Sequence, residues 1–382
     1  MNVLLFGNIG TAENGFYHVG DEAMFLETYN WYQKNYPKSK LTSLCTLPNH
    51  QDLNIKEITN PIPFENFGLY KLICTTIQAC FIKNPKNKLI SLIKNQDRIH
   101  FFGGGNITSK YRTWLYYSLT IISVTKIFKK ELILTSQTIG PFIFIDKIIS
   151  RYLLNFAKII SIRGIDMLDA AYNLANVSSL HYPKNKNIFR IGLSLNQNIL
   201  NNNIYNILIE LLSNLSSQHK VEVMLLPHVI VNSIDKWDLG FMSKLTTKIQ
   251  NKIKIILPNP IEILNSYPNP ASTIKYLTST SDMIITSRYH GLIFALSQNI
   301  PVIAITSEKY SRQKITNALK LIYKYKYSKY IISNHTNKEY LYKKLKHIIN
   351  NQQYESKTIK QINNKLLAKY DLFYNNLNNK IL

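Results

Sequence analysis

Cysteines and long apolar runs are scarce in this chain of 382 residues. The three cysteines, Cys45, Cys74 and Cys80, are odd in number and lack metal-binding spacing, which favours a reduced, cytoplasmic protein. No apolar run reaches the ~18 residues that a membrane-spanning helix needs. The first residues, Met1 to Gly7, lack the basic start and long apolar stretch of a signal peptide and predict a strand instead. We therefore expect a cytoplasmic protein.

Acidic residues are also few, since 22 Asp and Glu stand against 46 Lys and Arg, a formal net charge of +24. Such an excess is typical of proteins that meet nucleic acid, an anionic membrane surface or an anionic substrate, although compositional drift accounts for it equally well. Lys and Tyr alternate between Tyr323 and Lys346, which suits a lipid headgroup layer. No nucleic-acid-binding signature accompanies them, so we expect an anionic membrane surface, at the inner face of the membrane, before nucleic acid.

Several motifs of catalysis and cofactor binding are absent from the sequence. No Cys, His and Asp cluster has zinc spacing, and neither a P-loop nor a G-x-S-x-G elbow occurs. The loop after the first strand lacks the G-x-G-x-x-G spacing of dinucleotide-binding proteins. The sequence therefore predicts no metal and no cofactor.

Short apolar runs alternate with amphipathic segments along most of the chain, a pattern typical of parallel α/β sheets. A polar, turn-rich stretch at Tyr182–Asn187 separates two similar halves. We predict an α/β fold of two Rossmann-like domains facing across a cleft, a GT-B-like arrangement. The predicted domains are residues 1–183, 184–336 and a basic helical segment at 337–382. A ligand site between the two larger domains is the default expectation.

The segment Ser287–Gly291 is the most informative part of the second half. It lies between the apolar run Met283–Thr286 and a helical run, and a further strand at Ile300–Ile305 follows. In such a βαβ unit ligands bind outside the carboxyl ends of the strands, beside helix N-termini that favour anions. Arg288 and His290 are therefore expected to form an anion site, with Lys309 downstream.

The loop from Gly7 to Gly20, with Asn8 inside it, leads into a helix that we predict from Asp21. Asp21 can cap this helix while Glu22 stabilises its first turn. The alternative is that both carboxylates contact sugar hydroxyls or act as a base. Both interpretations remain open at this level.

Glycine is scarce, with 13 residues, yet three are consecutive at Gly103–Gly105, followed by Asn106. We predict a ligand-facing loop there after a strand at 98–102, and a second loop at Ser136–Pro141. Arg163 lies at a strand end, where its planar guanidinium suits a carboxylate or phosphate, although a surface ion pair is as plausible. His228 also follows a strand, and a structural role is the favoured interpretation for this single histidine.

The ordered set of motifs resembles the polysaccharide pyruvyl transferases. The resemblance covers about residues 1 to 320. The motifs that carry it are Gly20-Asp21-Glu22-Ala23, Phe102-Gly103-Gly104-Gly105, Ser136-Gln137-Thr138-Ile139-Gly140-Pro141, Ile162-Arg163, and Ser287-Arg288-Tyr289-His290-Gly291 with Ile300-Pro301-Val302-Ile303.

The resemblance implies transfer of a pyruvyl group from phosphoenolpyruvate, a co-substrate, to two hydroxyls of a sugar, giving a cyclic ketal. The acceptor would be a glycan or its lipid-linked precursor in exopolysaccharide or cell-envelope biosynthesis. Arg163, Arg288, His290 and Lys309 match family positions, which implies a role with the donor. We predict that Arg163, Arg288, Lys309 and Gly291 bind the donor, and that His290, Asp21 and Glu22 are catalytic. Acceptor or loop contacts are expected from Asn8, Gly103, Gly104, Gly105, Asn106 and His228.

Two other functions fit the same pattern. A GT-B glycosyltransferase would use the basic residues and glycine loops for a nucleotide sugar. An inactive basic module would keep the fold and bind a membrane or nucleic acid. The chain also departs from the family, with Gly164 where an acidic residue commonly follows the arginine, and with Asn196 where the second domain commonly carries an arginine.

Overall fold

The structure is a computed structural model that describes residues 1–10, 16–45, 50, 52–60, 67–81, 87–165, 169–185, 187–196, 202–231, 237–333 and 336–381. Its strands, in chain order, are β1 (Asn2–Phe6), β2 (Tyr17–His18), β3 (Lys40–Cys45), β4 (Lys56–Thr59), β5 (Arg98–Ile107), β6 (Glu131–Ile139), β7 (Ile159–Ile162), β8 (Phe189–Ser194), β9 (Val221–Leu225), β10 (Val229–Ile230), β11 (Lys254–Ile256), β12 (Met283–Thr286), β13 (Val302–Thr306) and β14 (Ile331–Ser333).

The helices are α1 (Val19–Asn35), α2 (Leu69–Phe81), α3 (Lys88–Lys94), α4 (Arg112–Ile127), α5 (Phe144–Leu154), α6 (Asn202–Gln218), α7 (Trp237–Thr247), α8 (Pro260–Leu264), α9 (Pro270–Ser279), α10 (Tyr289–Ser297), α11 (Lys309–Tyr323), α12 (Lys338–Asn350) and α13 (Gln352–Ile381). Two compact units divide the chain. The first comprises Met1–Glu13 and Met24–Ala170, and the second comprises Asn14–Ala23 and Ala171–Leu382.

The first unit is built on a parallel sheet in the order β4-β3-β1-β5-β6-β7. The central strand β1 is an apolar run from Val3 to Phe6 that is buried on both faces, as a strand covered by helices on two sides must be. Helix α4 is buried along Leu115–Thr125 and packs against the sheet together with α2, α3 and α5. These contacts form the main apolar core of the first unit.

The second unit is built on another parallel sheet, in the order β11-β9-β8-β12-β13-β14. A small antiparallel pair joins β2 to β10. Both sheets have helices in the connections between their strands, which makes the two units Rossmann-like. The prediction of an α/β fold with two Rossmann-like domains is confirmed.

The basic C-terminal segment is helical, as predicted, and packs onto the second unit. Helix α13 contacts α10 and α11. Its Asn363 donates to the backbone oxygen of Leu296 over 2.7 Å. The Lys- and Tyr-rich stretch precedes this helix. In it the rings of Tyr323 and Tyr330 are stacked with their centroids 3.7 Å apart, and both side chains are buried. Part of the aromatic content of this stretch therefore serves packing. None of the helices in the described ranges is long and apolar enough to cross a membrane.

Three local predictions need correction. The predicted loop at Gly103–Asn106 is part of β5, and most of the predicted loop at Ser136–Pro141 belongs to β6. The two segments pair with each other, with Gly104 opposite Gln137 in the parallel register. The side-chain amide of Gln137 adds hydrogen bonds to the carbonyls of Phe101 over 3.0 Å and Gly103 over 2.7 Å. Helix α1 begins at Val19, so Asp21 lies in its first turn and does not cap it.

Candidate active site

Predicted site residues of the second half lie at one edge of the second sheet. His228 follows β9, the segment from Arg288 to Gly291 follows β12, and Lys309 follows β13. These strands run parallel in the order β9-β8-β12-β13, so their carboxyl ends meet at the same edge. Open α/β sheets bind their ligands at such an edge. The topology therefore brings together residues that the sequence places far apart.

Arg288 is held by a carboxylate that sequence reasoning did not single out. Its Nε donates to Oδ2 of Asp238 over 3.0 Å, and its Nη2 donates to Oδ1 of the same residue. The Asp238 side chain is 2% exposed, whereas that of Arg288 is 21% exposed. The bidentate pair fixes the plane of the guanidinium and leaves part of it open to solvent.

Asp238 also organises the loop after β9. Its Oδ2 accepts the backbone N–H groups of His228 and Val229, both over 3.0 Å. One buried carboxylate therefore ties the ends of β9 and β12 together. The available sequence signal was an acidic residue ten positions after His228, which lies in the first turn of α7.

His228 is buried, and its Nδ1 lies 2.9 Å from Oγ of Ser194. Burial lowers the pKa of His228 to about 3, with the positive charges of His290 and Arg288 adding to the effect. The imidazole is therefore neutral at neutral pH and contributes no positive charge to an anion site. This environment favours the structural interpretation of His228.

His290 lies in the first turn of α10 against the backbone of Gly20. A Cβ atom built on Gly20 would lie 1.7 Å from Nδ1 of His290, a distance that no side chain tolerates. Gly291 is similarly close-packed, since a Cβ there would lie 2.5 Å from Oγ1 of Thr286. Two glycines of separate sequence motifs thus make room around the same turn.

The two carboxylates after Gly20 have different surroundings. Glu22 is fully buried, whereas Asp21 is half-buried in the same first turn of α1. Burial raises the pKa of Tyr17 well above its usual value, and the charge of Glu22 raises it further. Because Glu22 is fully buried and Asp21 is only half-buried, Asp21 is the more accessible of the two predicted acceptor carboxylates.

Arg163 lies at the end of β7 in the first unit and is 6% exposed. Its Nη1 donates to Oδ2 of Asp169 over 2.9 Å, and its Nε donates to Oγ1 of Thr138 over 2.7 Å. Asp169 is buried, so Arg163 belongs to an internal ion pair. Where Gly164 replaces the acidic residue expected beside the arginine, Asp169 provides the carboxylate from farther along the chain.

Met24 connects Arg163 to the triple glycine within the first unit. Nη1 of Arg163 lies 3.6 Å from Sδ of Met24. Gly103 has a φ of +74°, and a Cβ there would lie 2.2 Å from the same sulfur. The glycine therefore permits a backbone conformation and a close contact that a larger residue would prevent.

The remaining predicted contacts differ in exposure. Asn8, Gly105 and Asn106 are half-buried, Gly104 is buried, and Lys309 is exposed in the first turn of α11. Their roles in ligand binding stay predictions. Within the described part of the chain, no three His, Cys, Asp or Glu side chains are grouped as a metal site.

The sequence model of the polysaccharide pyruvyl transferase family matches residues 18–309, more than half of the chain. The match contains all the predicted site residues except Asn8. No curated protein is a significant match.

Solved structures show the same fold at low sequence identity. The chain is similar to a glycosyltransferase from Rickettsia africae, with 14% identity, a TM-score of 0.51, and coverage of 98% of this chain and 97% of that one. It is also similar to an Anabaena protein solved in complex with UDP and glucose, with 12% identity, a TM-score of 0.52, and coverage of 100% and 98%. Glycosyltransferases are among these neighbours, and the GT-B-like fold is thereby confirmed.

Proposed function

The chain belongs to the polysaccharide pyruvyl transferase family, and we propose that it transfers a pyruvyl group from phosphoenolpyruvate to two hydroxyls of a sugar, forming a cyclic ketal. The sugar belongs to a polysaccharide or to its lipid-linked precursor. One observation carries the donor assignment: Arg288 is fixed by Asp238 beside His290 at the edge of a parallel sheet. This arrangement lies within the region that the family model matches.

Phosphoenolpyruvate carries a phosphate and a carboxylate, so its site requires fixed cations and hydrogen-bond donors. The guanidinium of Arg288 is preoriented by its bidentate pair with Asp238. The first N–H groups of α10 and the ammonium of Lys309, which follows the neighbouring strand, lie at the same edge. We assign these groups to the donor, and Arg163 by family resemblance alone.

In the proposed reaction, His290 delivers a proton to the methylene carbon of the donor, which creates a methyl group and a cationic carbon beside the phosphate oxygen. One sugar hydroxyl attacks that carbon and loses its proton. The C–O bond to phosphate then breaks, and phosphate leaves with the electron pair and one proton. The second hydroxyl attacks the resulting cation and loses its proton, which closes the ketal. Protons balance without an oxidant or a reductant.

The half-buried Asp21 is the preferred base for the acceptor hydroxyls because Glu22 is enclosed by protein. His228 is less suited to this role because it is buried, with its Nδ1 lying 2.9 Å from Oγ of Ser194. No cofactor is required in this scheme, with phosphoenolpyruvate acting as co-substrate.

Thermal stabilisation by candidate donors tests the assignment, because a ligand that binds the native state raises its melting temperature. We expect phosphoenolpyruvate to stabilise the protein and nucleotide sugars to leave it unchanged. The reverse result would assign the chain to nucleotide-sugar glycosyltransferases. No stabilisation by either donor, with salt-sensitive binding to anionic vesicles, would support the inactive module.

His290→Ala should abolish the release of phosphate from phosphoenolpyruvate in the presence of acceptor, while the protein stays folded. His219→Ala changes an exposed histidine of the same unit and is the matched control. Arg288→Lys should weaken donor binding measured by calorimetry, because a lysine cannot reproduce the bidentate geometry. Unchanged turnover of the histidine variant would overturn the proton-donor role.

A further inference from the structure

Helix α5 of the first unit carries apolar side chains on its solvent side. Phe144 is 82% exposed, Ile148 54% and Tyr152 65%, and these three residues follow one another at intervals of four. Ile145 is also exposed. Residues four apart share one face of a helix, so the four side chains form a continuous apolar row. The buried residues Leu153 and Leu154 lie on the other side of the helix.

Helix α2 repeats this arrangement. Its exposed apolar residues are Tyr70 (81%), Ile73 (47%), Ile77 (51%) and Phe81 (82%). Their spacing of three and four residues places them on one face, opposite the buried side chains of Leu72, Thr75 and Ala79. Exposed large residues are ordinary when single, but two ordered rows indicate a binding surface.

The two rows belong to the outer layer on one side of the first sheet. Both helices pack against α4 and contribute to the same core cluster with the sheet residues. Helix α4 is buried along Leu115–Thr125, and the exposed apolar rows lie on two helices, α2 and α5, that both pack against it. We call this surface the α2–α5 face.

Cations accompany the apolar row on α5. Lys147 and Arg151 are exposed on the same helix, and the ammonium of Lys126 lies 3.8 Å from the ring centroid of Tyr152. The only acidic residue of α5, Asp146, is fully buried and accepts hydrogen bonds from Ser109 and Tyr116. The exposed side chains of this helix therefore carry net positive charge.

Two more exposed cations lie near the start of α5. Lys110 precedes α4 and Arg112 is its first residue; both are exposed, and Nε of Arg112 lies 3.4 Å from Oδ2 of Asp146. Ser109 ties this segment to α5, because its hydroxyl donates to Asp146 and accepts the backbone N–H of Ile143 over 2.9 Å. Apolar and basic side chains are thus interleaved over a single surface.

We propose that the α2–α5 face docks on an anionic phospholipid bilayer. Aromatic and aliphatic side chains of such a surface enter the headgroup region, while Lys and Arg attract anionic lipids. A second copy of this chain is a poorer occupant, because it would bring the same positive charges to the interface. The proposal does not depend on the donor or on pyruvyl transfer, and it is tested in the absence of both.

Cosedimentation of the full-length protein with vesicles tests the proposal. We expect binding to vesicles that contain phosphatidylglycerol, little binding to phosphatidylcholine alone, and weaker binding as salt rises. The double substitution F144S/I148S should lower the partition coefficient by about tenfold or more, since two exposed apolar side chains lose their contact with lipid. I77S/F81S should have the same direction of effect. Y354S/L372S removes exposed apolar residues from α13 and should leave binding unchanged.

Charge is tested with a matched pair of variants. K147E/R151E should weaken binding to the anionic vesicles, whereas K357E/K360E makes the same charge change at exposed positions of α13 and should have a much smaller effect. If the two variants lose vesicle binding equally, binding depends only on the net charge of the protein and not on the α2–α5 face, and the proposal is overturned. The proposal would also be overturned if the unaltered protein did not bind vesicles. The same holds if the protein bound no lipid and instead self-associated in a way that F144S/I148S abolishes.

Discussion

The backbone of Gly20 lies directly against the imidazole of His290. A Cβ atom on Gly20 would be 1.7 Å from Nδ1, so the glycine is a steric requirement of the histidine's position. Both residues belong to motifs that carry the family resemblance, one near the start of the chain and one near the end of the matched region. Their contact gives a physical reason for the occurrence of the two motifs in one chain.

Gly20→Ala should displace His290 and lower the transfer rate sharply. Overpacking of this kind costs about 1–3 kcal/mol of stability. Gly68→Ala is the matched control, because a Cβ on Gly68 meets no atom within 4 Å. Phosphate release and thermal unfolding of the two variants are to be compared. Full activity in the Gly20 variant would contradict the positioning of His290 described above.

Asp238→Asn should weaken the binding of phosphoenolpyruvate, because the single amide oxygen cannot accept both hydrogen bonds from Arg288 and no longer fixes the plane of its guanidinium. The expected loss of stability is about 2–3 kcal/mol, below that of a fully buried pair since Arg288 keeps some contact with water. Calorimetric donor titration and denaturant unfolding measure the two effects. Glu210→Gln, in a half-exposed pair with Lys338, should change stability by ~1 kcal/mol or less. Wild-type donor affinity in Asp238→Asn would refute the positioning role.

Arg163→Lys should destabilise the first unit, because a lysine ammonium cannot reproduce the hydrogen bonds from Nε to Thr138 and from Nη1 to Asp169. The loss should be about 1–3 kcal/mol in the free energy of unfolding. Arg312→Lys changes an exposed arginine and should have little effect. If Arg163 also binds the donor, its replacement lowers donor affinity beyond what the stability change explains, and an unaltered affinity would restrict Arg163 to a structural role.

Acid should destabilise the protein through its buried histidines. The pKa of His100 is lowered to about 3 by burial and by the charge of Arg98, and that of His228 is also about 3. Both pKa values are lower in the folded state, so the unfolded chain takes up protons first as the pH falls below ~6.5. Their stabilising contribution is therefore complete above that pH and is lost progressively down to about pH 3.

The slope of the unfolding free energy against pH should be about 1.4 kcal/mol per pH unit for each histidine within this window. His100→Gln should flatten the slope, and His219→Gln, at an exposed position, should not. Denaturant unfolding between pH 7 and pH 4 provides the measurement. An unchanged slope in the His100 variant would show that this residue is not the source.

The sequence predicted the sheets well because strand and helix periodicity is local information. The apolar run Met283–Thr286 is strand β12, and a helix and a further strand follow it, as predicted. The prediction of a loop at Gly103–Gly105 is wrong, because the place of these glycines in β5 depends on pairing with the neighbouring strand at Gln137. The pattern of residues within a short segment cannot reveal a contact with a residue that lies far away in the chain.

By itself, the sequence determined the α/β class, the helical C-terminal segment and the strand-end position of Arg288 and His290, because these follow from short-range patterning and from the topology of parallel sheets. Only the tertiary structure decided which residues support them. Asp238 lies 50 residues from Arg288 in the chain, and its role arises from the adjacency of two loops that the fold creates. The contact of Gly20 with His290 and the apolar surface of α2 and α5 depend in the same way on packing between distant segments.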